Sequence, residues 1–223
     1  MVCKEMEGVV ASVVAPDMEG MWMQERRNAM KHPVTFAAAA ALGLAAAPAL
    51  AHTGAGPVGG LAAGVDHPLG GLDHLLAMVG IGLSAALIGG RALWLMPLAF
   101  MSAMAISAGL AMAGMPLPFV EAGIGLSVIV IGVMAAMGAT VPVTLGVAVA
   151  AAFALFHGHA HGTEMPIDAS GLTYGLGFVA VTGALHLAGI GLGIGLIRLG
   201  PVAARALGGL MAMLGIGIVI GAV

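Results

Sequence analysis

Cysteine is almost missing from this chain of 223 residues: there is one, Cys3. A single thiol forms no intrachain disulfide, and a structural thiolate metal centre needs several. Charge is scarce as well. Asp, Glu, Lys and Arg together make up 8% of the chain, against about 25% in soluble domains. Mean hydropathy is +1.11. So few charges cannot coat a water-soluble domain, and the composition is that of an integral membrane protein. There is no basic patch for a nucleic acid to engage. The chain carries no Gly-x4-Gly-Lys-Ser/Thr loop for ATP, no His-Glu-x-x-His and no Gly-x-Ser-x-Gly. Aromatics amount to 4%. What is plentiful is glycine, with 37 residues, and methionine, with 17. Abundant small residues suit helices that approach closely in lipid.

Along the chain, residues 1–29 are polar, mixed in charge and without an apolar period. They are read as an N-terminal extension, consistent with a mis-assigned start upstream of Met30. Residues 30–51 read as a secretory signal peptide. Lys31 and His32 form a charged start, Val34 to Ala47 an apolar run, and Ala49-Leu50-Ala51 a small-residue cleavage site. Cleavage there makes His52 the mature N-terminus. Residues 52–71 are glycine-rich and suggest a loop or re-entrant segment. Apolar runs of near-spanning length then predict helices near 72–90, 92–114, 119–138, 141–160, 171–197 and 201–222. All connections are short. The expected fold is therefore an all-α membrane protein, with a six-helix transmembrane bundle over residues 52–223. Gly191 with Gly195, and Gly217 with Gly221, have small-xxx-small spacing and are expected at helix contacts.

A cleaved signal places His52 outside the cytoplasm, and the loops alternate from there. Arg91, Arg198 and Arg205 then fall inside, in line with the positive-inside rule. Asp66, Asp73, Glu121, Glu164 and Asp168 fall at or near the outside. The outer mouth is expected to be acidic and to attract divalent cations.

Histidine carries the chemistry. His157, His159 and His161 lie within five residues, followed by Glu164. If the helix continues through them, His157 and His161 share a face one turn apart, Glu164 joins that face, and His159 points elsewhere. Imidazoles beside a carboxylate suit a borderline divalent metal such as nickel, cobalt or zinc. A second group, His67, Asp73 and His74, precedes the first long helix. Pro68, Gly70 and Gly71 make a broken approach to the membrane the expected form. Asp73 is either a ligand or an orienter of an imidazole. Met78, one turn below His74, is a soft thioether or simple packing. His186 stands 12 residues before Arg198, about 18 Å along a helix. That is near the membrane midplane, where an ionisable residue is a functional candidate.

These two groups resemble a known family. His-Pro-x-x-Gly-x-Asp-His-x-x-x-Met at 67–78 and Phe-His-Gly-x-Ala-His-Gly-x-Glu at 156–164 look like the paired motifs of the HupE/UreJ family. Leu185-His186-x-x-Gly189 is similar to that family's fifth helix. The larger nickel/cobalt transporter family has four residues between His and Asp-His; here there are five. The resemblance implies a hydrogenase- or urease-accessory membrane protein acting as a nickel or cobalt permease. It also implies metal-site roles for His67, Asp73, His74, His157, His161 and Glu164, with His52 matching the usual mature N-terminal histidine.

The function expected is uptake of Ni2+ or Co2+ as cargo through a His/Asp-lined path that includes His186. No prosthetic group and no enzymatic activity are expected. The expected partners are a divalent metal ion, the lipid bilayer and hydrogenase or urease maturation machinery. The expected place is the inner (cytoplasmic) membrane of a bacterium, with both mature ends outside. Two alternatives compete. One is a membrane di-metal oxidase or hydrolase using the same histidines; the other is a bis-histidine haem protein. His52 adds a further expectation: its α-amine and imidazole together form a bidentate clamp at the mouth.

Overall fold

The structure, a computed structural model, describes residues 60–222. The expected N-terminal extension, the expected signal peptide and His52 lie outside the described residues. Among the described residues there are seven α-helices, one 3-10 turn and no strand. Helices α1 (Gly60–Gly70) and α2 (Leu72–Ile88) meet at Gly71 with a bend of 85°. The glycine-rich segment is thus helical from Gly60 onward, and the expected break before the first long helix is present. Pro68 removes one helical donor. Gly71 adopts an extended conformation, and a Cβ there would lie 2.7 Å from the Asp73 carboxylate.

Helices α3 (Ala92–Met112), α4 (Val120–Met137), α5 (Val143–Thr163), α6 (Gly171–Leu199) and α7 (Pro201–Val219) complete the chain, with a 3-10 turn at Gly138–Thr140. Five helices, α3 to α7, are long and apolar enough to cross a membrane, and the bent α1–α2 pair supplies a sixth span if taken as one. The protein is a multi-pass membrane protein. One boundary is corrected by the structure. Helix α5 runs to Thr163 rather than ending near 160, so all three clustered histidines are helical. Only residues 164–170 form the connection to α6.

The polarity of the bundle is that of a protein in lipid. Leu98, Ile106, Leu126, Leu145, Leu187 and Leu210 face outward, whereas Ser84, Ser107, Ser127, Thr182 and five histidines are buried with the methionine-rich core. Ser107 Oγ donates to the Leu155 carbonyl at 2.6 Å, and Ser84 Oγ to the Ile131 carbonyl at 3.3 Å. These bonds tie α3 to α5 and α2 to α4 where no water competes.

Helix α3 packs along α5, α4 along α7, and α6 along both α1 and α2. The α3–α5 contact runs over Gly158 and Gly162, whose added Cβ atoms would strike the Met104 and Ala108 carbonyls. At the α2–α6 crossing Gly82 faces His186 and Gly189 faces Val79 in the same way. Three of the four expected contact glycines are corrected. Nothing lies within 4 Å of a Cβ placed on Gly191, Gly195 or Gly221. Contacts are made instead by Gly189 and Gly193 on α6, and by Gly208 and Gly215 on α7. Spacing selects a face of a helix, but not the face that meets a neighbour.

Candidate metal centre

The break at Gly71 folds α1 back over the start of α2, bringing His67 beside His74 with ring centroids 5.9 Å apart. The end of α5 supplies the other wall. His161 lies 4.7 Å from His67 and 5.1 Å from His74, and His157 lies 4.8 Å from His74, ring centre to ring centre. His67, His74 and His161 each offer a nitrogen, and the three nitrogens lie within 4.8 Å of one another. Bonds of about 2.0–2.2 Å to one ion ask for separations nearer 4 Å. The triad is thus slightly more open than a closed structural site. Above it lies a cavity of about 500 Å³ lined by Asp66, His67, Asp73, His74 and Glu164 among others.

The hydrogen bonds fix which nitrogens are free. Asp73 Oδ1 lies 2.9 Å from His74 Nδ1 and also accepts the His74 backbone N–H at 2.7 Å. A carboxylate accepts only, so the ring proton sits on Nδ1. His74 Nε2 is left with its lone pair and has no partner among the described residues. Asp73 therefore orients an imidazole, the usual role of a carboxylate behind a metal-binding histidine. His157 repeats the device with a hydroxyl. Ser127 Oγ donates its one proton to the Ile124 carbonyl at 2.6 Å, so at 2.9 Å it accepts from His157 Nε2. His157 Nδ1 then carries the free lone pair and is unpartnered, as are both nitrogens of the fully buried His161. His161 is held by stacking on Phe178, with centroids 4.9 Å apart and an interplanar angle of 5°. Glu164 Oε2 reaches His67 Nε2 at 3.3 Å from the exposed rim.

The profile described as "HupE / UreJ protein" matches residues 39–218. The chain is 40% identical over 194 residues to "Protein HupE" of Rhizobium leguminosarum bv. viciae, covering 86% of this chain and 100% of that protein. The chain belongs to the HupE/UreJ family. No solved structure matches it.

The two HupE/UreJ motifs, about 80 residues apart in sequence, face one another in space. His67, Asp73, His74, His157, His161 and Glu164 all lie in one group. His159 points away, as expected, and donates from Nε2 to the Met115 carbonyl at 3.0 Å, fastening α5 to the α3–α4 connection. His186 is not in the group. It lies mid-way along α6, buried, with neither nitrogen partnered among the described residues. The ring of Phe100 touches both sides, 5.6 Å from His157 and 5.2 Å from His186 between ring centres. Glu121 is exposed in the first turn of α4. Sequence reasoning missed Ser127, Phe178 and Tyr174. Tyr174 is buried beside His67 with its hydroxyl unpartnered. A serine or an aromatic within an apolar helix carries no signal of its own; only the facing helix reveals what it touches.

Proposed function

We propose that the protein is a permease for a divalent transition metal, nickel or cobalt, taken up as cargo across a bacterial inner (cytoplasmic) membrane. The observation that carries this reading is the convergence of His67, His74 and His161 under an acid-lined cavity, each with a nitrogen in reach of the others. Asp66 and Glu164 concentrate cations at the mouth. The imidazoles replace part of the hydration shell without burying a fixed charge. The slightly open spacing suits an ion that keeps some waters and moves on, since conduction requires sites weak enough to leave. A signal sequence ahead of His52 and both mature ends outside complete the topology. Hydrogenase or urease maturation machinery is the consumer of the metal.

The di-metal oxidase or hydrolase is less well supported, because two ions need more ligands gathered in one place than the three histidines that converge here. Here Asp73 is held by His74 and Glu164 lies against His67. The deciding experiment is uptake of nickel, cobalt and zinc by cells lacking other importers. Cells with the wild-type chain should accumulate nickel or cobalt, and cells with His161→Ala should not. Equal accumulation in both would overturn the reading. The amine and imidazole of His52 extend the capture site. With cleavage intact, His52→Ala should slow uptake at limiting metal and leave it unchanged at excess.

A further inference from the structure

Below the imidazole group the bundle holds a layer of donors with a different chemistry. Thr182 Oγ1 on α6 lies 3.4 Å from Met78 Sδ on α2 and 3.8 Å from Met104 Sδ on α3. None of the three side chains is exposed. A helical threonine ordinarily turns its hydroxyl back to the carbonyl three or four residues earlier. Thr140, Thr163 and Thr173 do so here. Thr182 instead points its hydroxyl at sulfur from two other helices. His186 follows four residues later on the same face of α6, 1% exposed, with both ring nitrogens unpartnered among the described residues. A buried imidazole without a partner is costly, and apolar packing does not explain it.

We propose that Met78, Met104 and His186 form a second cation station inside the bundle, with Thr182 as the positioning residue that turns the two sulfurs inward. The donor set is two thioethers and one imidazole, all neutral. Such a set holds soft monovalent d10 cations such as Ag+ or Cu+ well, and borderline Ni2+ or Co2+ only weakly. A sulfur's second lone pair remains available while the first accepts the threonine proton. The Phe100 ring lies 5.6 Å from that of His157 and 5.2 Å from that of His186, and Phe100 shares the buried core with Met78 on α2 and Met104 on α3. The station's place on a path rests on the permease reading; its capacity to bind a soft cation does not.

The test uses Ag+ as probe on the purified full-length protein in detergent. His67→Ala with His161→Ala disables the outer group in the background variant. Into that background are placed Met78→Leu with Met104→Leu, which conserve volume and keep the core filled. The background protein should retain silver in equilibrium dialysis, with sulfur neighbours in the silver X-ray absorption spectrum. With Cys3 replaced by Ser in both proteins, the two leucines should weaken that retention at least about tenfold and lower the sulfur share of the signal, while thermal unfolding is unchanged. Exposed methionines such as Met115, Met137 and Met213 are intact in both proteins, so they cancel. Silver binding that is indifferent to the two leucines overturns the inner station. Silver binding that depends on them while wild-type cells take up no metal leaves the station standing and overturns the permease reading instead.

Discussion

At the scale of single residues, the centre is built on tautomer control. A neutral imidazole presents one lone pair, and a partner on its other nitrogen fixes which nitrogen carries it. Asp73 does this for His74 and Ser127 for His157. Removing such a partner commonly costs about 10–100-fold in metal affinity. Asp73→Asn, which accepts and donates but is neutral, should therefore raise the metal concentration for half-maximal uptake by about that factor, while membrane levels of the protein stay the same. Ser127→Ala should act in the same direction by a smaller factor, because a hydroxyl is a weaker acceptor than a carboxylate. His159→Ala provides the contrast. It should leave metal affinity unchanged and lower thermal stability by about 0.5–1.5 kcal/mol, the net worth of its bond to the Met115 carbonyl.

At the scale of elements, the site depends on how closely α3 can lie against α5. His157, His159 and His161 alternate with Gly158, Ala160 and Gly162. The two glycines let α5 touch the α3 backbone at Met104 and Ala108, which turns His157 and His161 inward. Gly158→Val would drive a branched side chain into the Met104 carbonyl. It should cost about 1–3 kcal/mol of stability by overpacking and abolish uptake, with the loss visible as a lowered melting temperature in detergent. Gly191→Val on the free face of α6 should change neither. The α1–α2 break is the other such element. Gly71 is where α1 folds back, and without it His67 and His74 would stand two turns apart along one helix instead of 5.9 Å apart.

At the scale of the whole molecule, a short polar column runs inside an apolar shell. Neutral histidines bind metal and protonated ones do not, so metal and protons compete. Isolated imidazole titrates near 6.5. Burial disfavours the charged ring, so lowering the external pH to well below about 6.5 should raise the metal concentration for half-maximal uptake and leave the topology untouched. Topology has its own test. A reporter fused after Val223 should be active only outside the cytoplasm. Activity inside would reverse the direction in which the acidic cavity faces.

Much of this was legible in one dimension. Scarce charge and long apolar runs require a membrane bundle, because the bilayer leaves the backbone few alternatives to helix. The i, i+4 spacing of His157 and His161 required a common face once α5 continued through them. Pro68 and Gly71 required a break. Those conclusions rest on local rules that each segment obeys by itself. Folding decided everything that depends on which helix faces which. It brought the two motifs together, made Asp73 an orienter, gave Ser127 to His157, and turned Gly189 and Gly193 rather than Gly191 and Gly195 toward α2. Sequence spacing defines positions around one axis, while the rotation of that axis against its neighbours is set by packing of the whole bundle.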